Sequence, residues 1–142
     1  MTAFNKFDSF VEHLAEKVHN LAADSLKVML TNSAPVAANA VLADLTEITP
    51  GNGYSAGGIA VTAASSAQTS GVYKLTLTDP SPITASGGSI GPFRYAVLYN
   101  DTPTSPADPL IGWWDYGSSR TLAAGESLAL DFDGSAGVLT LQ

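Results

Sequence analysis

Residues 91–117, GPFRYAVLYNDTPTSPADPLIGWWDYG, decide the fold of this chain. From Phe93 to Tyr99 successive side chains point to opposite faces of an extended segment, and both faces are largely apolar, which predicts an interior β-strand. Residues 110–116 form a second run of this kind. Residues 100–109 contain three prolines and three potential Asx-turn residues, so they are predicted to form a loop. The simplest interpretation is a long-looped antiparallel hairpin at the centre of a β-domain.

The register of this hairpin predicts an ion pair. If Tyr99 pairs near Leu110, Arg94 lies opposite Asp115 on the neighbouring strand. The two side chains are then expected to meet, so their contact tests the hairpin.

Trp113 and Trp114 are adjacent, so on a strand they point to opposite faces of the sheet. One can fill the core. The other is expected to lie under the N-terminal helix, to meet a neighbouring subunit, or to form an exposed aromatic platform. Exposed aromatic side chains bind sugars or proteins.

Composition and charge limit the function of the chain. Its 142 residues are the size of one domain, so residues 1–142 are predicted to form a single unit. The net charge is −7 and the six Lys and Arg residues are scattered, which argues against nucleic-acid binding. The chain has no cysteine, so disulfides and thiol chemistry are excluded.

The surface is predicted to be neutral and rich in small residues. Only 13% of residues are charged and the mean hydropathy is +0.15. This composition fits a protein that lies against a partner, and it fits a β-sandwich with a neutral exterior equally well. No run approaches 18 consecutive apolar residues and the N-terminus has no signal-peptide pattern, so we expect synthesis in the cytoplasm and no membrane association.

Residues 5–23 carry the one convincing helical pattern. Apolar residues recur there at spacings of four and three, as on one face of an amphipathic helix: Phe7, Val11, Leu14, Val18 and Leu21. The helix is expected to lie on the flank of the sheet, with packing against a partner subunit as the alternative.

Residues 25–142 are predicted to form a mainly β, antiparallel domain of about eight strands. Strand patterns recur about every ten residues, as in a sandwich, barrel or jelly roll. Beyond the central hairpin, the predicted strands are residues 26–31, 59–64, 72–78, 83–90, 119–121, 127–132 and 138–141. The last two are predicted to pair as a C-terminal hairpin. Residues 40–48 are predicted to form a helical turn or an irregular segment.

The sequence offers no metal or cofactor site. His13 and His19 would lie about 240° apart on the predicted helix and could not converge on one metal. Residues 50–58, PGNGYSAGG, precede a strand and lack the Lys-Ser/Thr pair of a phosphate loop. Residues 131–135, DFDGS, resemble the opening of a calcium loop, but the following positions break that pattern and a tight turn explains them better.

No catalytic residue is identified either. A carboxylate pair for glycoside hydrolysis is conceivable between Asp115 and either Asp101 or Asp108. With thirteen acidic residues in the chain, however, some pair is expected by chance. We therefore expect a protein that is not an enzyme.

Several long stretches resemble the small capsid decoration or cement proteins of tailed bacteriophages and prophages. They are FNKFDSFVEHLAEKVHNL with the following SLKVMLTNSAPVAAN, then ITPGNGYSAGGIAV, SGGSIGPFRYAVLYND and PLIGWWDYGSS. The resemblance implies a jelly-roll-like antiparallel β-sandwich. It also implies a virion structural protein, made in the host bacterial cytoplasm, that bridges neighbouring major capsid protein subunits on the outer capsid surface, usually as a dimer or trimer. The family has no active-site motif.

On this interpretation the helix stripe, the loop between Asp101 and Asp108 and the outward tryptophan supply the protein contact. The candidate contact residues are Phe7, Val11, Asp101, Asp108, Trp113, Trp114 and Tyr116. The alternative is a phage fibre, tail or receptor-facing module that binds carbohydrate through a tryptophan and nearby aspartates. An unrelated β-sandwich adaptor is a third interpretation.

Overall fold

The computed structural model describes residues 2–142, which form a mainly β chain with one α-helix. The elements in chain order are β1 (Asn5–Lys6), α1 (Asp8–Ala15), β2 (Leu26–Thr31), a 3-10 turn (Leu42–Asp44), β3 (Ile59–Thr69), β4 (Val72–Thr78), β5 (Ile83–Thr84), β6 (Ile90–Asn100), β7 (Leu110–Leu122), β8 (Ser127–Leu128) and β9 (Leu139–Leu141). Within residues 2–142 no helix has the length and apolar character needed to cross a membrane.

The strands form one large curled sheet and one small sheet. The large sheet has seven antiparallel strands in the order β1-β7-β6-β2-β3-β4-β9, and the small sheet pairs β5 with β8. Lys6 on β1 and Leu141 on β9 line the same cleft of about 300 Å³, so the two ends of the large sheet approach each other. The predicted antiparallel β-sandwich with one N-terminal helix is confirmed.

The central hairpin forms with the predicted Tyr99–Leu110 pairing and the predicted Arg94–Asp115 contact, but the rest of its register is shifted by one residue. Tyr99 pairs with Leu110 across β6 and β7. Arg94 Nε lies 2.8 Å from Asp115 Oδ1 and Arg94 Nη2 lies 2.9 Å from Asp115 Oδ2, a bidentate ion pair between the strands. A register shift of one residue between Leu98 and Tyr99 makes Tyr95, and not Arg94, the backbone partner of Asp115. Arg94 reaches the carboxylate from the irregular position between Phe93 and Tyr95.

Strand β6 separates two apolar clusters, one on each face. The main cluster lies inside the curl of the sheet and includes Leu98 of β6 and Leu30 of β2. The outer cluster lies on the opposite face and consists of Phe7, Met29, Val97, Tyr99 and Leu110. Alternate residues of one strand therefore serve different clusters, as the period of a strand requires.

The helix is shorter than the predicted 5–23 segment. Asn5 and Lys6 pair with Trp113 and Gly112 instead of starting the helix. At the other end, Lys17 adopts a left-handed conformation with φ 66°, and the Val18 amide donates to the His13 carbonyl over 2.8 Å. This is the geometry that terminates helices. The apolar spacing continues to Leu21, but beyond Ala15 the chain is a loop that folds back, and Leu21 is buried as part of that loop.

The predicted C-terminal hairpin is wrong. β8 pairs with β5 and β9 pairs with β4, so the two segments never meet as strands. Between them Leu130 and Phe132 are buried, and the Phe132 amide donates to Asp79 Oδ1 over 2.7 Å. Burial in the main cluster takes this segment away from β9. The predicted 119–121 strand is the end of β7, and the predicted 83–90 strand divides between β5 and the start of β6.

The glycine-rich segment is a packing feature. A Cβ atom on Gly58 would lie 1.9 Å from the carbonyl oxygen of Val28, and Gly58 has φ +86°. Tyr54, between the glycines, is buried and its hydroxyl donates to Glu47 Oε1 over 2.8 Å. The glycines therefore let this loop lie directly on the backbone of β2.

Replacing Gly58 with alanine is expected to destabilise the fold far more than the same change at Gly71. Both glycines have positive φ, +86° and +81°, but a Cβ on Gly71 would meet nothing within 4 Å. Gly71→Ala is expected to cost about 1 kcal/mol for the left-handed backbone alone. Gly58→Ala adds a backbone clash, for a total of about 3 kcal/mol or more. Urea unfolding measures both values, and equal losses would contradict the close approach.

Candidate contact surface

The two tryptophans lie on opposite faces of β7, as predicted. Trp114 is buried in the main cluster, with ring centroids 5.2 Å from Phe4 and 5.7 Å from Phe132. Trp113 is half-buried on the other face and covers the outer cluster. Its ring centroid lies 4.6 Å from that of Phe7. Of the pair, only Trp113 presents surface to a partner.

Phe7 and Val11 have different positions in the fold. Phe7 is fully buried in the outer cluster, so its prediction as a contact residue is wrong. It immediately precedes α1, and its ring fills the space beneath Trp113. Val11 lies about one turn further along the helix, on the same side, and is 49% exposed. Val11 is therefore available for contact.

The middle of the segment comprising residues 34–48 covers the outer cluster, whereas Ile48 at its end is buried in the main cluster. Leu42 and Leu45 pack on that cluster beside Trp113. The Asp8 amide donates to the Ala37 carbonyl over 2.9 Å, which joins the segment to the start of α1. At 56%, Val36 is the most exposed of the two large hydrophobic residues that lie open to solvent within residues 2–142; the other is Val11.

Leu42, Leu45 and Trp113 pack on one cluster, and the Asp8–Ala37 hydrogen bond joins the two segments that carry Val11 and Val36. We name this set of side chains the contact surface. It consists of Val11, Val36, Leu42, Leu45 and Trp113. Val36, Leu42 and Leu45 are not among the contact residues predicted from the sequence. The available signal was the run APVAANAVLADL, residues 34–45, in which one acid accompanies many small and aliphatic side chains in a segment without strand alternation.

Two acidic side chains, Asp101 and Asp108, lie near the two ends of the loop that joins β6 to β7. Asp101 is exposed and forms an ion pair with Lys27, Oδ2 to Nζ 2.9 Å. The Leu42 amide donates to the Asp108 carbonyl over 2.9 Å, so the loop abuts the segment that carries the contact surface. Partial burial, the charge of Asp101 and a hydrogen bond to Asp101 raise the pKa of Asp108. The structure therefore brings Asp101 and Asp108 together as a polar rim.

Asp115 does not join this pair. Its carboxylate is held by Arg94 and accepts from the Gly117 amide over 2.7 Å, and these contacts lower its pKa. The conceivable pairing of Asp115 with Asp101 or Asp108 is not formed.

Tyr116 lies on the face opposite Trp113. It is half-buried against the main cluster, with the Arg120 guanidinium 4.8 Å from its ring centre. Burial raises the pKa of its hydroxyl. Tyr116 and Trp114 are therefore separated by the sheet from Trp113, and the predicted contact residues do not form one surface. Val11, Trp113, Asp101 and Asp108 remain on or beside the contact surface.

The histidines converge, contrary to the sequence prediction. Because α1 ends at Ala15, the chain folds back and brings the His13 and His19 ring centroids to 5.9 Å. Asn100 fixes the tautomer of His19. Its Oδ1 accepts from the Thr102 amide, so its Nδ2 is the donor to His19 Nδ1 over 3.1 Å. His19 is therefore neutral with its proton on Nε2.

This arrangement opposes protonation and metal binding by His19. Burial and the neighbouring His13 lower the pKa of His19 to about 4, although the Asp24 carboxylate acts in the opposite direction. A metal-bound histidine normally donates its second ring N–H to an acceptor, whereas Asn100 presents a donor here. Within residues 2–142 no three His, Asp or Glu side chains are grouped so that they could hold a metal ion. The Asp133 carboxylate accepts from the amides of Ser135 and Ala136, so the calcium-like segment forms a tight turn.

No family model, curated protein or solved structure matches this chain.

The buried His19 is expected to make the fold acid-sensitive. Its pKa of about 4 in the folded chain lies below the value of 6.5 for an exposed histidine, so the unfolded chain binds the proton more readily. The contribution of His19 to the free energy of unfolding is fully present above about pH 6.5 and is lost as the pH is lowered to about 4. The loss from this residue is about 3 kcal/mol.

Urea unfolding of the wild type and a His19→Gln variant at a series of pH values measures this effect. The carboxylates are common to both proteins, so their difference reports His19. Glutamine can still accept from Asn100, and the variant is expected to lose less stability on acidification. Parallel pH profiles would show that His19 protonates freely in the fold.

Proposed function

We propose that this protein is a virion structural protein that decorates and cements the capsid of a tailed phage by bridging neighbouring major capsid protein subunits. The contact surface is the observation that carries this proposal, together with the sequence resemblance to capsid decoration proteins. In this function the chain binds and does not catalyse a reaction.

The contact surface has the anatomy of a protein interface. Its centre is an indole, Trp113, backed by the fully buried Phe7, and tryptophan in a packed setting is a frequent source of binding energy. Aliphatic side chains from α1 and residues 34–48 surround it. Asp101, Asp108 and Lys27 form a charged border at one side. An apolar centre with a polar rim is typical of interfaces that exclude water on association.

The position of the surface suits a binding role. Trp113 and Leu42 lie over the outer cluster, which includes Met29 and Tyr99, both almost fully buried. The backing is therefore rigid, and few side chains must be ordered when a partner binds. Less lost side-chain entropy means that more of the burial energy appears as affinity.

A cement protein acts by adding interface that the assembled shell has and the free subunits lack. A standard interface buries about 1,600 Å² in total, and many copies on one shell act together even if each binds weakly. We place the protein on the outer capsid surface, after synthesis in the host bacterial cytoplasm. We further propose that it acts as a homo-oligomer, and it needs neither nucleic acid, membrane nor cofactor for this role.

Co-sedimentation with capsids that lack the protein tests the function. The wild type is expected to co-sediment with expanded capsids and not with unexpanded ones. Val36→Asp places a charge on the contact surface, where desolvation opposes binding. It is expected to weaken binding at least about tenfold, or 1.4 kcal/mol. Because Val36 is mostly exposed, the fold is expected to tolerate this change.

Ala124→Asp is the matched control, because Ala124 is exposed in the turn between β7 and β8. It adds the same charge outside the contact surface, so it is expected to bind like the wild type. Equal binding by Val36→Asp and the wild type would remove the contact surface from the proposal. If the wild type binds neither capsid form but is retained as a monomer on a glycan column, the result would support the alternative, carbohydrate binding through Trp113.

A further inference from the structure

The β3–β4 hairpin has an open edge. β2 pairs with β3 only at Ile59, Ala60 and Val61, after which β3 continues to Thr69 with β4 as its one strand partner in the described chain. Residues 62–69 therefore present unpaired backbone groups on the side away from β4. A bulge between Ala63 and Ser65 interrupts the ladder near its base. Beyond it, residues 65–69 form a regular five-residue edge.

Other edges of the large sheet are short or guarded. β1 has two residues and β9 has three. The open part of β7 carries Asp115, Arg120 and Gly117, the last with φ 89°, and charges and irregular backbone discourage strand addition. Residues 65–69, SSAQT, contain no charge and no proline. Monomeric proteins rarely leave such an edge unprotected.

The turn fixes which backbone groups face outward. Ser70 and Gly71 join β3 to β4 with φ 51° and 81°, as in a two-residue type I′ turn. Thr69 and Val72 flank this turn as a pair, and their backbone groups bond each other. Because antiparallel pairs alternate, Ala67 also bonds to β4. The N–H and C=O groups of Ser66 and Gln68 therefore point away from the hairpin.

We propose that this edge pairs with the same edge of a second copy, forming an antiparallel two-fold dimer. The charge pattern selects this partner: residues 48–73 contain no charged side chain in a chain of net charge −7. Two copies repel each other least along this stretch. A two-fold axis also lets one segment serve both sides of the interface. This inference does not rest on capsid binding.

The geometry sets the register. Pairing Ser66 with Gln68 of the second copy, and Gln68 with its Ser66, uses every outward backbone group of residues 65–69. The two-fold axis then passes between the two Ala67 residues as a non-hydrogen-bonded pair, whose Cβ atoms are about 5 Å apart. Ala67 is exposed, and its methyl group fits this close approach. The interface is small, so we expect a dissociation constant in the micromolar range.

Sedimentation velocity over a wide concentration range, without capsids, tests the dimer. The wild type is expected to shift from monomer to dimer as concentration rises. Ala67→Glu and Ala67→Lys each place like charges opposite each other, so each alone is expected to weaken dimerisation at least about tenfold. An equimolar mixture of the two variants is expected to recover the dimer, because opposite charges then meet.

Thr140→Glu is the matched control, an exposed position on β9, and is expected to dimerise like the wild type. A wild type that stays monomeric at all concentrations would overturn the inference. So would dimerisation that survives Ala67→Glu, which would locate the dimer elsewhere. Failure of the Glu and Lys variants to rescue each other would reject the register. Capsid binding by a monomeric Ala67→Glu protein would leave the proposed function standing.

Discussion

Strand β6 is buried on both faces and paired along both edges, and the other elements are arranged to cover it. Its neighbours β2 and β7 complete the backbone hydrogen bonds, which an interior strand cannot leave unmade. One face is covered by the curl of its own sheet, with Trp114 and Phe132 inside. In residues 2–142 no second sheet covers the other face, and Phe7, Trp113, Leu42 and Leu45 cover it.

This second cover explains where the contact surface lies. Leu42 and Leu45 of the loop and Trp113 of β7 form a cover that is one side chain thick. Each packs on the outer cluster with one side and leaves the other side exposed. Full burial of each large apolar residue beneath this cover contributes about 1.5–3 kcal/mol, so the segment is held by its inner side. Exposed ion pairs such as Lys27 with Asp101 contribute little by comparison. The charged rim therefore affects the orientation and choice of a partner more than it affects the fold.

Some elements of the fold were predicted correctly from the sequence and others were not. Alternation along residues 93–99 and 110–116 predicted β6, β7, the Tyr99–Leu110 pairing and the Arg94–Asp115 contact, because a strand's period and an apolar run are local properties. The one-residue shift between Leu98 and Tyr99 was not predicted. The helix was predicted too long because the spacing of Val18 and Leu21 continued past the left-handed Lys17. That error also separated His13 from His19, which the chain reversal brings together. For the contact surface, the sequence identified Val11, Trp113 and the two aspartates but also included Phe7, Trp114 and Tyr116, because burial is not visible in local spacing.

The sequence by itself determined the mainly β class, the single helix, the central hairpin and the neutral stretch that includes the β3 edge. Each follows from residue periodicity, turn residues or charge over short distances along the chain. Only the tertiary structure decided that β9 joins β4 instead of β8, that His19 is buried against Asn100, and that the middle of residues 34–48 lies over the outer cluster. These outcomes depend on contacts between residues far apart in sequence. Several partners of similar apolarity compete for each such contact, and the choice among them is made by how the whole core packs.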